Sequence, residues 1–290
     1  MVDRDRQLEA LAASDDPVEV DRAHQQALAR MGREPNMRSV AACAYDRTRA
    51  LAGRAQKFGT QSVVVGGACG LWPVDPGTTD SERAKWRIDR LAALREQATS
   101  APRVTKANLR RAVRARRGAL QAEEIEWFAK SIAEHGAGAV PATSTTIVAA
   151  YWPLPGEADP RPLAQSLCQR HGVGLALPVV DGEEITFRAW RDDGDLQQAG
   201  FGTLGPTPAA AEVVPSVVLT PLVGFDASGA RLGQGGGFYD RKFAELQGRA
   251  DLLVVGIASS CQELPVVPTE AHDRRLDLVI TELGVTKFRH

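Results

Sequence analysis

The sequence predicts an α/β fold: a mainly parallel sheet covered by helices on both faces, preceded by an irregular or partly helical N-terminal extension. Three observations carry this expectation. Apolar runs of strand length at residues 146–152, 217–225, 252–258 and 276–281 are continuous rather than alternating, as in strands buried on both faces. Segments with helical spacing separate these runs. A glycine-rich turn joins one strand to one helix between residues 226 and 238.

Residues 1–102 carry few signals. Residues 7–11 and 81–97 read as short helices, the second with Ala84, Ile88, Leu91 and Leu94 at helical spacing. Turn signals occur at Arg33-Glu34-Pro35-Asn36 and at Trp72-Pro73-Val74-Asp75-Pro76-Gly77, and one strand-like run covers residues 62–65. The expected division is an extension over 1–102, poorly ordered, and an α/β domain over 103–290. All three methionines, Met1, Met31 and Met37, precede residue 38. A domain made alone would therefore need a non-methionine start, and Val104 stands where one would fall. The extension is expected to be either a stretch included by a misassigned start or a genuine accessory segment.

From residue 103 the elements follow in order. Thr105 caps a helix that begins Lys106-Ala107-Asn108-Leu109-Arg110. Residues 121–135 form a second helix, with Ile125, Phe128 and Ile132 on one face and Gly136 as its stop. Residues 146–152 are a buried strand, and residues 162–170 a helix ended by His171-Gly172. Residues 173–180 and 185–190 are strands joined at Asp181-Gly182, a hairpin signal that places an antiparallel piece at one edge of the sheet. Residues 217–225 make a long apolar strand, 238–247 a helix, and 252–258 and 276–281 the last strands.

Composition narrows the function. The chain has 290 residues, 43% hydrophobic and 24% charged, a globular balance with room for one or two domains. Lys plus Arg is 35 and Asp plus Glu is 36, so the formal charge of -1 gives no global pull toward nucleic acid or an anionic membrane. No apolar run approaches the roughly 18–20 residues that span a bilayer. Residues 1–6 lack the apolar core of a secretory signal. Cys43, Cys69, Cys168 and Cys261 show no metal-ligand spacing and read as reduced thiols. The expected location is the cytoplasm.

The most informative stretch runs Arg231-Leu232-Gly233-Gln234-Gly235-Gly236-Gly237-Phe238-Tyr239-Asp240-Arg241. Glycines there open backbone conformations closed to other residues. Successive N–H groups, together with the helix N-terminus that follows, can converge on an anion. Arg231 adds a cation that grips phosphate oxygens in pairs. The loop is neither a Walker loop, since no Lys-Ser or Lys-Thr follows, nor a dinucleotide loop, since Phe238 takes the third glycine's place. A glycine cluster is often only a surface turn, but the strand before it and the charged pair around it favour phosphate binding. Asp240, in the first turn of its helix, would repel a phosphate unless a magnesium ion lay between them. A second cluster of Glu270, His272, Asp273 and Asp277, with Arg274 and Arg275, follows the strand at 252–258. Alone, such a cluster is more often a solvated, internally paired loop than a ligand site.

These residues resemble the 5-formyltetrahydrofolate cyclo-ligase family, also called methenyltetrahydrofolate synthetases. The run from Arg231 to Arg241 is similar to its signature, and the order of surrounding pieces agrees. Lys106-Ala107-Asn108-Leu109-Arg110 matches its opening helix. Tyr151-Trp152-Pro153-Leu154-Pro155-Gly156-Glu157 matches its folate-side loop. Gly256-Ile257-Ala258 with Gln262, then Pro268-Thr269-Glu270-Ala271-His272-Asp273 and Leu276-Asp277, match its last block. The resemblance covers about residues 104–285 and implies a three-layer α/β sandwich. It implies ATP contacts from Lys106, Arg110, Arg231, Leu232, Gly233, Gln234, Gly235, Gly236, Gly237, Phe238 and Tyr239. Arg231, Lys106 and Arg110 are the implied catalytic residues. It implies substrate contacts from Trp152, Glu157 and Gln262, and Mg2+ ligation by Asp240 and Asp273. ATP is the implied co-substrate and a reduced folate the substrate, with a monomer and neither nucleic acid nor membrane as partner.

Two other readings remain open at this stage. One is another phosphate-ligand enzyme on a similar sheet, such as a sugar-phosphate isomerase or a phosphotransferase. The other is an RNA-binding protein using the basic helix of Lys106, Arg110, Arg111, Arg114, Arg116 and Arg117.

Overall fold

The computed structural model describes residues 2–191, 196–248, 251–270 and 273–289. Packing divides the chain into two units: Met1–Val113 with Leu264–His272, and Arg114–Glu263 with Asp273–His290.

In the first unit, helices α1 (Val2–Ala12), α2 (Pro17–Arg30) and α3 (Met37–Leu51) share an apolar cluster built on Leu8, Val20, Ala23, Ala27, Met37, Val40 and Leu51. Small alanines let the helices approach closely. Only α1 overlaps a helix expected from the sequence. The alanine stripes of α2 and α3 are weakly apolar and escape a search for large side chains. Strands β1 (Ser62–Val65) and β2 (Ala68–Leu71) form an antiparallel ribbon. The single helix expected over 81–97 is instead two, α4 (Asp80–Lys85) and α5 (Leu91–Glu96). Arg87 stands between them with φ 57°, a left-handed conformation that interrupts helical hydrogen bonding.

Polar groups hold the irregular part of this unit. Asp46 of α3 is fully buried. Its carboxylate accepts from the N–H groups of Lys57, Phe58, Gly59 and Thr60 and from the Thr60 hydroxyl, at 2.7–3.1 Å. Burial pushes the Asp46 carboxyl up, and those donors oppose the shift. Cys43, one turn earlier on α3, is pushed up to about 11 by burial and the Asp46 charge. Residues of the distant segment 264–272 join the same unit: Gly66 N–H donates to the Thr269 carbonyl at 2.9 Å and to its hydroxyl at 3.1 Å. Helix α6 (Lys106–Gly118) begins in this unit.

The second unit contains α7 (Ala122–Ala139), β3 (Ile147–Ala149), α8 (Arg161–His171), β4 (Gly174–Asp181), β5 (Glu184–Trp190), β6 (Leu196–Gln198), β7 (Leu204–Pro206), β8 (Val217–Pro221), β9 (Gly224–Phe225), β10 (Arg231–Leu232), α9 (Phe238–Glu245), β11 (Leu253–Ile257), β12 (Leu278–Thr281) and β13 (Gly284–Lys287). Seven of these strands form one sheet in the order β13-β12-β11-β8-β3-β4-β5. Its five inner strands are parallel, and β13 and β5 pair antiparallel at the edges. The β4–β5 turn falls at Gly182, whose φ of 58° meets the hairpin requirement.

Alternate residues of each inner strand face opposite sides. Val148, Val217, Leu219, Val255, Ile257 and Ile280 join one cluster with Phe128 and Ile132 of α7 and Leu163 and Leu167 of α8. Ala149, Val218, Val254 and Val279 join a second with Phe243 of α9. The expected mainly parallel sheet with helices on both faces is therefore present.

Two boundaries differ from expectation. Helix α7 does not stop at Gly136 but runs on to Ala139. Gly136 serves close packing instead: a Cβ there would lie 2.7–2.8 Å from the Leu163 methyls and 2.9 Å from Ile280. The long strand expected over 217–225 is broken after Pro221, which lacks an N–H for the ladder, and β9 turns into a hairpin with β10. No helix among the described residues is long and apolar enough to cross a membrane.

Candidate functional site

The β9–β10 hairpin places Arg231. Its turn is wound by Asp226, whose buried carboxylate accepts from Ser228 N–H at 2.8 Å, Ser228 hydroxyl at 2.6 Å and Ala230 N–H at 3.2 Å. Gly229 is required in that turn. Its φ is 78°, and a Cβ would meet the Phe288 ring at 2.8 Å. The chain therefore re-enters the fold at Arg231 with one orientation.

Only 3% of the Arg231 side chain is exposed. Its guanidinium pairs with the Asp240 carboxylate and lies 5.2 Å from the centre of the Phe243 ring. Its buried Nε meets no acceptor among the described residues. By family resemblance Arg231 would face phosphate and Asp240 a metal. The structure brings the two together, with Asp240 about a third exposed.

Gly235 and Gly237 take φ of 115° and 69°, and Gly237 caps α9. A Cβ on Gly236 would strike the Phe238 ring at 2.6 Å. Gly233 differs, because a Cβ there would meet nothing within 4 Å. Its lack of a side chain answers to no atom of the described residues. Leu232 is buried in the core, so only its backbone is available to a ligand. Phe238 packs edge-on against Phe201 at 5.2 Å and under the Arg241 guanidinium at 5.0 Å.

The loop is tied sideways by a chain of hydrogen bonds absent from the sequence reading. Arg114 donates to the Gln234 side-chain oxygen at 2.8 Å. The Gln234 amide nitrogen donates to Glu157 Oε1 at 2.7 Å. Glu157 Oε2 accepts from Leu154 N–H at 3.0 Å. Glu157 is buried, yet both oxygens are satisfied, which is what lets a carboxylate stay there. Beside it, the Tyr239 hydroxyl is buried with no partner among the described residues. Burial first, and then the Glu157 charge, push that phenol well up. Tyr151 is also pushed well up by burial, and its hydroxyl donates to the Ala158 carbonyl at 2.6 Å.

The remaining expected residues fall in different places. Trp152 lies under the Arg161 guanidinium, 4.2 Å from its ring centre, and Asp159 holds that guanidinium at 2.6–3.1 Å. Gln262 departs from its expected substrate role. It is 2% exposed, donates to the Leu222 and Val223 carbonyls at 2.8 and 3.0 Å, and accepts from Ser259 N–H at 2.8 Å. Its amide is spent on pinning the β8–β9 junction, which in turn sets the hairpin that carries Arg231. Lys106 belongs to the first unit, where its ammonium lies 3.5 Å from Glu270. Arg110 is half-buried in that unit. Asp273 is half-buried ahead of β12. Ala271 and His272 lie outside the described residues.

The described residues contain no group of three or more His, Cys, Asp or Glu side chains that would cage a metal. Magnesium needs less, since it keeps waters and takes one or two carboxylates alongside phosphate oxygens. Asp240, a hard oxygen donor partly open to solvent beside the glycine loop, fits that mode.

Comparison with known proteins converges on one family. Residues 102–282 match the 5-formyltetrahydrofolate cyclo-ligase family. The 5-formyltetrahydrofolate cyclo-ligase of Haemophilus influenzae is 32% identical over 170 residues, which is 56% of this chain and 88% of that protein. The corresponding protein of Escherichia coli K12 is 32% identical over 183 residues, 61% of this chain and all of that protein. Among solved structures, the 5,10-methenyltetrahydrofolate synthetase of Aquifex aeolicus is 31% identical with a TM-score of 0.52, covering 64% of this chain and 93% of that one.

Proposed function

The chain belongs to the 5-formyltetrahydrofolate cyclo-ligase family, and from that premise we propose that it cyclises 5-formyltetrahydrofolate to 5,10-methenyltetrahydrofolate with ATP as co-substrate, releasing ADP and phosphate. The observation that carries this reading is the 2.7 Å hydrogen bond between Gln234 and Glu157. It joins the glycine loop, suited to a polyphosphate, to the Gly156-Glu157 loop, suited to the N–H donors of a pterin.

The chemistry demands such a pairing. The N5-formyl group is an amide whose carbonyl is a weak electrophile, and its oxygen would have to leave as hydroxide. Transfer of the ATP γ-phosphoryl to the formyl oxygen gives an iminium phosphate and ADP. N10 attacks the formyl carbon, its proton is lost, and the carbon–oxygen bond breaks with phosphate as leaving group. Positioning and charge neutralisation carry most of this work, so no acid–base triad is required.

Gly233, Gly235, Gly236 and Gly237 present backbone N–H groups to the phosphates, with Gly233 leaving room for close approach. Lys106 and Arg110 supply further positive charge. Arg231, set deep beneath the loop, holds Asp240 in place and adds a fixed charge. Magnesium, held by Asp240 and Asp273, would neutralise phosphate oxygens. Trp152 packs on the pterin, and Glu157 accepts from it once Gln234 shares or yields its place. The domain responsible is residues 103–290, with 1–102 as an extension to it. The enzyme is taken to act as a monomer in the cytoplasm.

The test is direct. Purified full-length chain, given 5-formyltetrahydrofolate, ATP and magnesium, should develop the near-ultraviolet absorbance of the methenyl product, and omission of any one component should abolish it. Absence of product with all three present would overturn the proposal.

A further inference from the structure

Arg117 lies in the part of α6 that belongs to the second unit, and it is only 8% exposed. A guanidinium stays protonated in proteins, so this is a buried charge. Its Nε and Nη1 are fully buried and meet no acceptor among the described residues. Leaving a buried cation unpaired opposes folding, and proteins rarely keep one without a use.

Its position says what the use is. Arg114 and Arg117 are three residues apart on one helix and so share a face. Arg114 touches Gln234, and Gln234 touches Glu157, so Arg117 sits one turn further along the face turned to the glycine loop. Burial pushes the Tyr151 phenol up, at the start of the loop that carries Glu157, and the positive charge of Arg117 is near enough to oppose that shift slightly. The same neighbourhood holds a second orphan donor, the Tyr239 hydroxyl. A buried guanidinium on the helix face turned to the glycine loop and a buried phenol just after that loop, both lacking acceptors among the described residues, describe a place prepared for oxygen atoms that these residues do not supply.

We propose that Arg117 is a substrate-contacting residue, whose guanidinium, aided by the Tyr239 hydroxyl, holds an oxygen-rich acceptor group of a substrate: either a phosphoryl group or a carbonyl oxygen of the folate. This deepens the cyclo-ligase reading and rests on it. The basic helix at 106–117 is then no nucleic-acid surface at this position, since a buried guanidinium is hidden from a polyanion outside.

Arg117→Met in the full chain separates this role from a structural one. Methionine fills similar space without a charge, so it removes the desolvation of an unpaired cation. The expected result is a melting temperature equal to or above the parent's, together with a fall in kcat/KM of at least about 10-fold, the scale of losing a hydrogen bond from a charged donor. Arg117→Lys should restore part of that loss. Titrations with 5-formyltetrahydrofolate and with a non-hydrolysable ATP analogue identify the source of the oxygen. Weaker folate binding alone assigns it to the carbonyl, and weaker nucleotide binding alone to the bound phosphates. A fall in kcat with both affinities kept assigns it to the phosphoryl group in transit. A lower melting temperature, with or without activity, would show that Arg117 is a structural residue and overturn the proposal, as would parental kcat and KM. If the parent chain forms no methenyl product, the reaction assignment fails by itself, and the melting and binding measurements still decide what Arg117 does.

Discussion

Gln234→Glu is the most informative single perturbation. The native amide nitrogen lies 2.7 Å from Glu157 Oε1, and the change places two carboxylates at that contact. Two unit charges about 3 Å apart repel by roughly 5 kcal/mol at an effective dielectric of about 20, and by about 1.4 kcal/mol in water. Glu157 is buried while Gln234 is exposed, so the relaxed repulsion falls between these limits, at about 2–3 kcal/mol. Arg114, now facing a carboxylate instead of an amide oxygen at 2.8 Å, returns up to about 1 kcal/mol as a surface pair. The net is about 1–2 kcal/mol favouring withdrawal of the glycine loop from Glu157, which corresponds to roughly a 5- to 30-fold rise in the KM for ATP. Gln234→Ala removes only a hydrogen bond and should cost about 1 kcal/mol or less. Steady-state methenyl formation at varied ATP concentration, run on both variants and on Gln234→Glu combined with Arg114→Ala, measures the difference. The double variant should be the worst of the three. Equal ATP dependence in all three would mean that the Gln234–Glu157 contact does not govern the loop, and the reasoning would fail.

Other expectations follow from the same geometry. Arg231→Ala should lower turnover about 100-fold or more, the scale set by loss of one preorganised charge, and near-parental turnover would refute a role for this guanidinium. Asp240→Asn should shift the magnesium titration of activity to higher concentration, and an unchanged titration would argue against ligation. Gly233→Ala should melt like the parent, because its new methyl meets no atom of the described residues within 4 Å, yet raise the KM for ATP if phosphate approaches the backbone there. In the N-terminal unit, the Cys43 thiol stands at about 11 in the folded chain against an ordinary 9.0. Unfolded chains then bind fewer protons between these values, so stability is full below pH 9 and falls as pH rises through 11. The linkage is about 3 kcal/mol, discounted to about 2 for the partial exposure of the side chain. Urea unfolding at pH 8 and pH 11 should show a loss about 2 kcal/mol larger in the parent than in Cys43→Ala, the remainder common to both coming from other groups such as the buried Tyr151 and Tyr239 phenols; equal losses in the two would refute the Cys43 contribution.

The sequence alone determined the α/β class, the order of strands and helices in residues 103–290, and the glycine loop with its flanking charges. Those signals are local: apolar runs, helical spacing and glycine at turns act within a few residues. Family resemblance added the expected site residues. Tertiary structure decided how they are used. Gln262, a substrate contact by family resemblance, is consumed by the Leu222 and Val223 carbonyls some forty residues away. Gly136, spaced like a helix stop, lies inside α7 because Leu163 and Ile280 need its room. Pro221 cut a run that hydropathy alone left whole, since the lost N–H matters only where a ladder partner is waiting. Arg231 and Asp240 read as separate phosphate and metal residues until folding set them against each other. Arg114 and Glu157 lie 120 and 77 residues along the chain from Gln234, the residue both of them meet, and no local pattern announces contacts made across such distances. Spacing within one segment fixes which way a side chain can point; only packing between segments fixes what it meets.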